Sequence, residues 1–227
     1  MGESGAGKTS LLRAGLSYGL KSEQQSYIYW VAFPKHAHES LLRTINQQLQ
    51  TQYQQLEEVL TYPTAAVIVL DQFEQLSVQQ HAEIFALLTR VITQHPLQNI
   101  TWIVAFRREY DPEWRDFELS LGDDFRMLPM ISLKLFSRAQ AQNVFIILAS
   151  EAGLVLDQAL VDSFVNSMQV NERLSPVDIS IGLLMLNELA SQQQKAYLNL
   201  EDYQFAGGSK GLFVKFINAR LERLVVG

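Results

Sequence analysis

The chain has no cysteine. Disulfides and thiolate metal sites are therefore excluded, and a reducing, cytoplasmic setting is the natural expectation. It has no apolar run near the roughly 20 residues of a membrane-spanning helix, and no basic-then-apolar leader, so no membrane partner is expected. Histidine is sparse, with four in 227 residues. His36 and His38 lie two apart without an evident third ligand, and His81 and His95 read as surface residues. Positive charge is in deficit, since 18 Lys and Arg against 24 Asp and Glu leave a net charge of −6. That balance argues against a broad nucleic-acid footprint. No internal repeat is visible, and the abundant glutamine is interleaved with leucine at helical spacing, as on a helix surface.

What is present points elsewhere. A hydrophobic content of 48% suffices for one large core or two small ones. The first ten residues, MGESGAGKTS, contain G-x-x-x-x-G-K-[ST] as Gly2, Gly7, Lys8 and Thr9, a complete phosphate-binding loop. Glycines let the backbone of Gly2, Ser4, Gly5, Ala6 and Gly7 curl so that its N–H groups face phosphate oxygens. Lys8 brings a mobile positive charge to the β- and γ-phosphates, and the Thr9 hydroxyl can ligate Mg²⁺. The helix opening through Ser10 adds its positive end.

Further along, 8–20 reads as a helix with Leu12, Leu16 and Leu20 on one face. The aromatic, β-branched stretch 27–33 reads as a buried strand. Leu42, Ile45, Leu49, Tyr53, Leu56 and Leu60 predict one long amphipathic helix. The run AAVIVLD (65–71) suits a parallel strand covered on both faces, and it ends in Asp71, at the carboxyl end where ligands of such sheets bind. Asp71 is thus placed to support Mg²⁺, and Glu74 to orient or deprotonate an attacking water. Glu74 also reads as a helix-start carboxylate. A helix is expected over 78–93 and a strand over 100–106. Arg107, directly after that strand, either reaches phosphate or pairs with Glu109 or Asp111. The segment 111–124 shows no clean periodicity, and 127–133 reads as a short last strand. From Ser137 onward the pattern is helical only. Ser137 caps the first helix, Pro176 opens the third, and AGGS (206–209) turns into the last.

Taken together, GESGAGKTSLLRAGL (2–16), VIVLDQFEQL (67–76), IVAFRREY (103–110), LPMISLKLFS (128–137) and YQFAGGSKGLF (203–213) resemble the STAND class of P-loop ATPases. The resemblance is to the novel bacterial STAND module that is often joined to WD40 or other repeats. It implies an α/β P-loop NTPase core of AAA+/STAND type over 1–133, with a parallel sheet in the order 5-1-4-3-2. A helical lid over 134–206 and the start of a winged helix over 207–227 would follow. Only Met1 precedes Gly2, where the fold calls for a strand, so a piece of a larger protein, poorly stable in isolation, is expected. By position, Gly5, Gly7, Lys8 and Thr9 would bind phosphate and magnesium, Asp71 would support the metal, and Glu74 would be the catalytic acid. Arg107 would match an arginine placed after the fourth strand, and Pro176 a lid proline lying against the base. Gln75 and Ala105 depart from the usual Glu and Thr. The expected function is an ATP/ADP-dependent, slowly hydrolysing switch that controls self-association of a larger protein, with effector or repeat domains beyond this chain. The alternatives are a AAA-type remodelling ATPase using Arg107, Arg108 or Arg126 in trans, a nucleotide-bound scaffold, and a DNA-binding regulator.

Overall fold

The computed structural model describes residues 1–22, 25–32, 36–76, 78–94, 99–122, 129–169 and 171–225. Phe33, His95, Asp124, Arg126 and residues 127–128 of the expected last strand lie outside them. The chain forms two compact units, Met1–Leu133 and Lys134–Gly227.

In the first unit, β1 (Ser26–Val31), β2 (Ala66–Asp71) and β3 (Ile100–Val104) form a parallel sheet in that order. Every residue of β2 is buried, because the strand is covered twice. Ala66, Ile68 and Leu70 face a large core, while Val67 and Val69 meet Leu12, Leu16 and Leu20. Those leucines come from α1, which runs through Lys8–Ser10, a π-helical Leu11–Leu16 and Ser17–Ser22. The opposite face is closed by α2 (Ala37–Leu49), α3 (Val78–Gln94) and α4 (Asp111–Ser120).

Three expectations are corrected here. The long helix through Leu60 stops at Gln50, which is left-handed with φ 57°. The side chain of Asn46 explains the exit: its Oδ1 accepts from Tyr53 N–H and the Thr51 hydroxyl, and its Nδ2 donates to Tyr53 O, each at 2.9 Å. Leu56 and Leu60 fall in a separate 3₁₀ helix, Leu56–Thr61. Within 111–124, where periodicity looked absent, Trp114, Phe117 and Leu121 are all buried, and the buried Glu118 accepts from Trp114 Nε1 at 3.1 Å. A charged residue on the inner face thus hid the pattern of α4. Finally, the described part of the expected last strand makes only an isolated bridge, Leu133 to Gly2, and Gly2 bridges Arg107 on its other side.

The second unit has helices α5 (Arg138–Glu151), α6 (Gln158–Met168), α7 (Pro176–Gln193), α8 (Leu200–Phe205) and α9 (Gly208–Val225). They enclose a core around Phe145, Phe164, Ile179 and Leu186. It is not purely helical: β4 (Phe136–Ser137) pairs antiparallel with β6 (Arg173–Leu174), and β5 (Val155–Leu156) pairs parallel with β7 (Tyr197–Leu198). These two-residue strands are too short to leave a periodic signal. Capping boxes at Ser137/Gln140, Ser175/Asp178 and Asn199/Asp202 start three of the helices, each supplying acceptors to amides that an isolated helix start leaves unpaired.

Candidate functional site: the loop at the carboxyl ends of the strands

Residues 2–10 wrap the start of α1. Gly5 and Gly7 hold φ of 76° and 84°, a left-handed backbone that other residues adopt only with strain. The Lys8 ammonium folds back onto the loop, donating to Gly2 O at 2.8 Å and Glu3 O at 3.0 Å. Burial lowers its pKa from the ordinary lysine value, while the nearby Glu74 and Asp71 charges oppose that shift. Ser4, Gly5 and Ser10 are exposed, and Ala6 is buried.

Asp71 reaches the site because β2 delivers it there, beyond five buried apolar residues. Only 1% exposed, its carboxylate is held by three donors. The Thr9 hydroxyl donates to Oδ2 at 2.7 Å and the Tyr29 hydroxyl donates to the same oxygen at 2.5 Å. Gln72 N–H donates to Oδ1 at 2.8 Å. A buried ionised carboxylate needs such donors to offset its lost hydration. Burial and the bond to Asp71 push the Tyr29 phenol well above its usual range, so it remains a protonated donor.

After Asp71 the chain turns through Gln72 (φ 56°) into a 3₁₀ turn, Phe73–Gln75. Phe73 is fully buried and meets the rings of Tyr110 and Trp114 edge-on. Phe73 N–H donates to Ala105 O. The anchored turn presents Glu74 to Arg107, whose Nε lies 3.1 Å from Glu74 Oε1 and whose backbone N–H donates to Oε2 at 3.2 Å. Arg107 therefore pairs with neither Glu109 nor Asp111, the partners that local spacing suggests. Arg108 lies 3.4 Å from Glu3 Oε1 on the loop.

Thus Gly2, Lys8, Thr9, Asp71, Glu74 and Arg107 meet at one end of the sheet. Pro176 belongs to the other unit, where it is the first residue of α7 behind the Ser175 cap. The sequence reading missed Tyr29. In β1, Ile28 and Trp30 are buried while Tyr27 and Tyr29 are half-buried and face α1, a division that the all-apolar run Tyr-Ile-Tyr-Trp does not announce.

A parallel sheet with this loop at the carboxyl end of its strands defines a P-loop NTPase of AAA+/STAND type. The chain belongs to the family Novel STAND NTPase 1, which it matches over residues 1–224. No curated protein matches it significantly. Its fold is similar to that of Cdc6p from Pyrobaculum aerophilum (TM-score 0.64, 14% identity, covering 89% of this chain and 57% of that one). It is also similar to the ORC2 protein of Aeropyrum pernix, solved as ADPNP-ADP complexes (0.61, 11%, 90% and 59%). A third is the Walker-type ATPase paby2304 of Pyrococcus abyssi (0.58, 16%, 98% and 69%). The chain spans 57% to 69% of the length of these structures. Among the described residues, no helix is long and apolar enough to cross a membrane.

Proposed function

We propose that this chain is the nucleotide-responsive part of a signal-transduction switch. It binds ATP and ADP with Mg²⁺, hydrolyses ATP slowly, and through its nucleotide state controls self-association of a larger protein. The observation that carries the reading is the 2.7 Å bond from Thr9 to Asp71 across 62 residues of sequence. That bond joins the end of the glycine loop to the acid of an interior strand. The donor set fits the ligands: loop amides and Lys8 for phosphate, the Thr9 hydroxyl and the Asp71 carboxylate for Mg²⁺. A bound Mg²⁺ would supply charge neutralisation at the phosphates.

Each residue then has a task. Lys8 exchanges the carbonyls of Gly2 and Glu3 for phosphate oxygens. Glu74 orients and deprotonates the attacking water. Arg107, which engages Glu74 through its side chain and backbone, trades that carboxylate for the γ-phosphate. Glu74 leaves Arg107 before it acts on the water. A γ-phosphate that adds contacts in one state only is what shifts a population between two forms. In this reading residues 134–206 act as the lid, with Pro176 against the base, and 207–227 open a winged helix.

Titration calorimetry of ADP and ATP with Mg²⁺ tests the proposal. Wild type is expected to bind ADP tightly, and Lys8→Ala to lose binding while remaining folded. Absence of binding by folded wild type refutes it and leaves the scaffold reading. Fast turnover by rings in solution favours a remodelling ATPase.

A further inference from the structure

The Tyr29 hydroxyl has no part in the roles just assigned, yet it reaches the most buried charge of the site. It shares Asp71 Oδ2 with the Thr9 hydroxyl, at 2.5 and 2.7 Å. An sp² carboxylate oxygen has two lone-pair directions, so these two donors occupy both. Thr9 thereby spends its single proton on Asp71, and its own lone pairs stay free for a cation. Were the tyrosine hydroxyl absent, Oδ2 would keep Thr9 as its one donor, and the carboxylate would be free to turn on its remaining bonds and take Thr9 with it. The ring is itself fixed, with the Arg13 guanidinium 5.4 Å from its centroid and Tyr27 stacked 6.4 Å away. The strand register sets Tyr29 beside Val69, two residues before Asp71 on β2. An aromatic spacer of this length is what spans that offset.

We propose that Tyr29 is a positioning residue for the divalent cation: it orients Asp71, and through it Thr9, so that Mg²⁺ is held with the nucleotide. The inference rests on the nucleotide-site reading above. It concerns the gain in affinity that the cation brings, and not the affinity of the loop for phosphate.

The test compares the Kd of ADP with Mg²⁺ and with EDTA, by calorimetry, in wild type, Tyr29→Phe and Tyr27→Phe. Tyr27 is the matched control, since it lies on the same strand face but its hydroxyl donates to Leu12 O. Tyr29→Phe is expected to leave ADP affinity in EDTA unchanged. It should cut the Mg²⁺-dependent gain by at least about fivefold, in keeping with a hydrogen bond to a charged group. Tyr27→Phe should keep the full gain. An unchanged gain in Tyr29→Phe overturns the proposal, as does an equal loss in EDTA or an equal loss in Tyr27→Phe, either of which marks general packing damage. Should Tyr29→Phe prove unstable, Asp71→Asn serves as background. The gain is lost there, and adding Tyr29→Phe should lower neither affinity further; an additional loss overturns the positioning role. Wild type that fails to bind ADP in either condition removes the nucleotide site itself, and the role of Tyr29 falls with it.

Discussion

Glu74→Gln separates chemistry from binding and from stability, and the structure sets the size of each effect. The substitution keeps the volume of the side chain and removes its charge. It breaks the ion pair with Arg107, whose side chain is 52% exposed, and exposed pairs of this kind are worth about 0–1 kcal/mol. The melting temperature should therefore fall by no more than about 4 °C. Nucleotide affinity should hold or rise slightly, because the Lys8 hydrogen bonds do not involve Glu74 and a negative charge is withdrawn from the phosphate site. Turnover is a different matter. A positioned general base contributes about 10²–10⁴-fold, equivalent to roughly 2.7–5.5 kcal/mol of barrier. That range exceeds anything the broken pair can cost through folding, so the outcomes do not overlap. The assay is single-turnover release of labelled phosphate, with calorimetry and a thermal melt on the same preparation. A Gln variant that hydrolyses within about twofold of wild type, against the roughly 10² minimum for a base, would refute the assignment of Glu74.

Two predictions concern the second unit. In Gly182→Ala the new methyl meets Phe164 ring carbons at 2.5 and 2.7 Å and Phe145 at 3.1 Å, and both rings are fully buried. Overpacking of that kind costs about 1–3 kcal/mol and should lower the thermal midpoint by about 2–12 °C; an unchanged midpoint contradicts the packing described for α7. Lys195 donates to Asp202 at 2.6 Å and, with the Asn199 amide, holds that carboxyl below its ordinary 3.8. A depressed acid stabilises the fold above its unfolded value and loses that contribution as pH falls through the folded one. Melts between about pH 7 and pH 3 should therefore show a shallower acid limb for Lys195→Met than for wild type, and parallel limbs would dismiss the pair.

Much of the site was legible because its chemistry demands particular residue types at fixed spacing. Gly5 and Gly7 stand where φ is positive, and the loop and strand patterns pick out Lys8, Thr9 and Asp71, which lie at one end of the sheet. Tyr29 was not legible. A tyrosine in Tyr-Ile-Tyr-Trp reads as core, and only the register of β1 on β2 shows that its hydroxyl meets the carboxylate. The pairing of Arg107 was hidden for a similar reason. Local spacing favoured Glu109 and Asp111, whereas the buried Phe73 carries Glu74 across from a neighbouring strand. The break after α2 depended on Asn46, a single side chain satisfying the backbone and hydroxyl of an exit turn, which apolar periodicity does not register. The short strands β4 to β7 depend on partners distant in sequence and leave no local trace.

The three glycines of the loop do different work, and Gly2 shows how the loop is tied to the sheet. Gly5 and Gly7 are needed for their backbone angles. Gly2 is buried and has another constraint, since a methyl on it would meet Leu133 O at 2.7 Å and Leu133 Cβ at 3.1 Å. It lies between the exit of β3 and residue 133, where Arg108 N–H donates to Gly2 O at 3.2 Å and Leu133 N–H to Met1 O at 2.9 Å. Gly2 thus joins the exit of β3 to Leu133 by two isolated parallel bridges, one to Arg107 and one to Leu133. A groove of about 950 Å³ extends from this wedge along β3, lined by Leu12, Leu16, Leu88, Trp102, Val104 and Ile131. The same wedge fixes Gly2 O, on which the Lys8 ammonium rests. The position of the loop lysine is therefore tied, through one close-packed glycine, to the order of the strands.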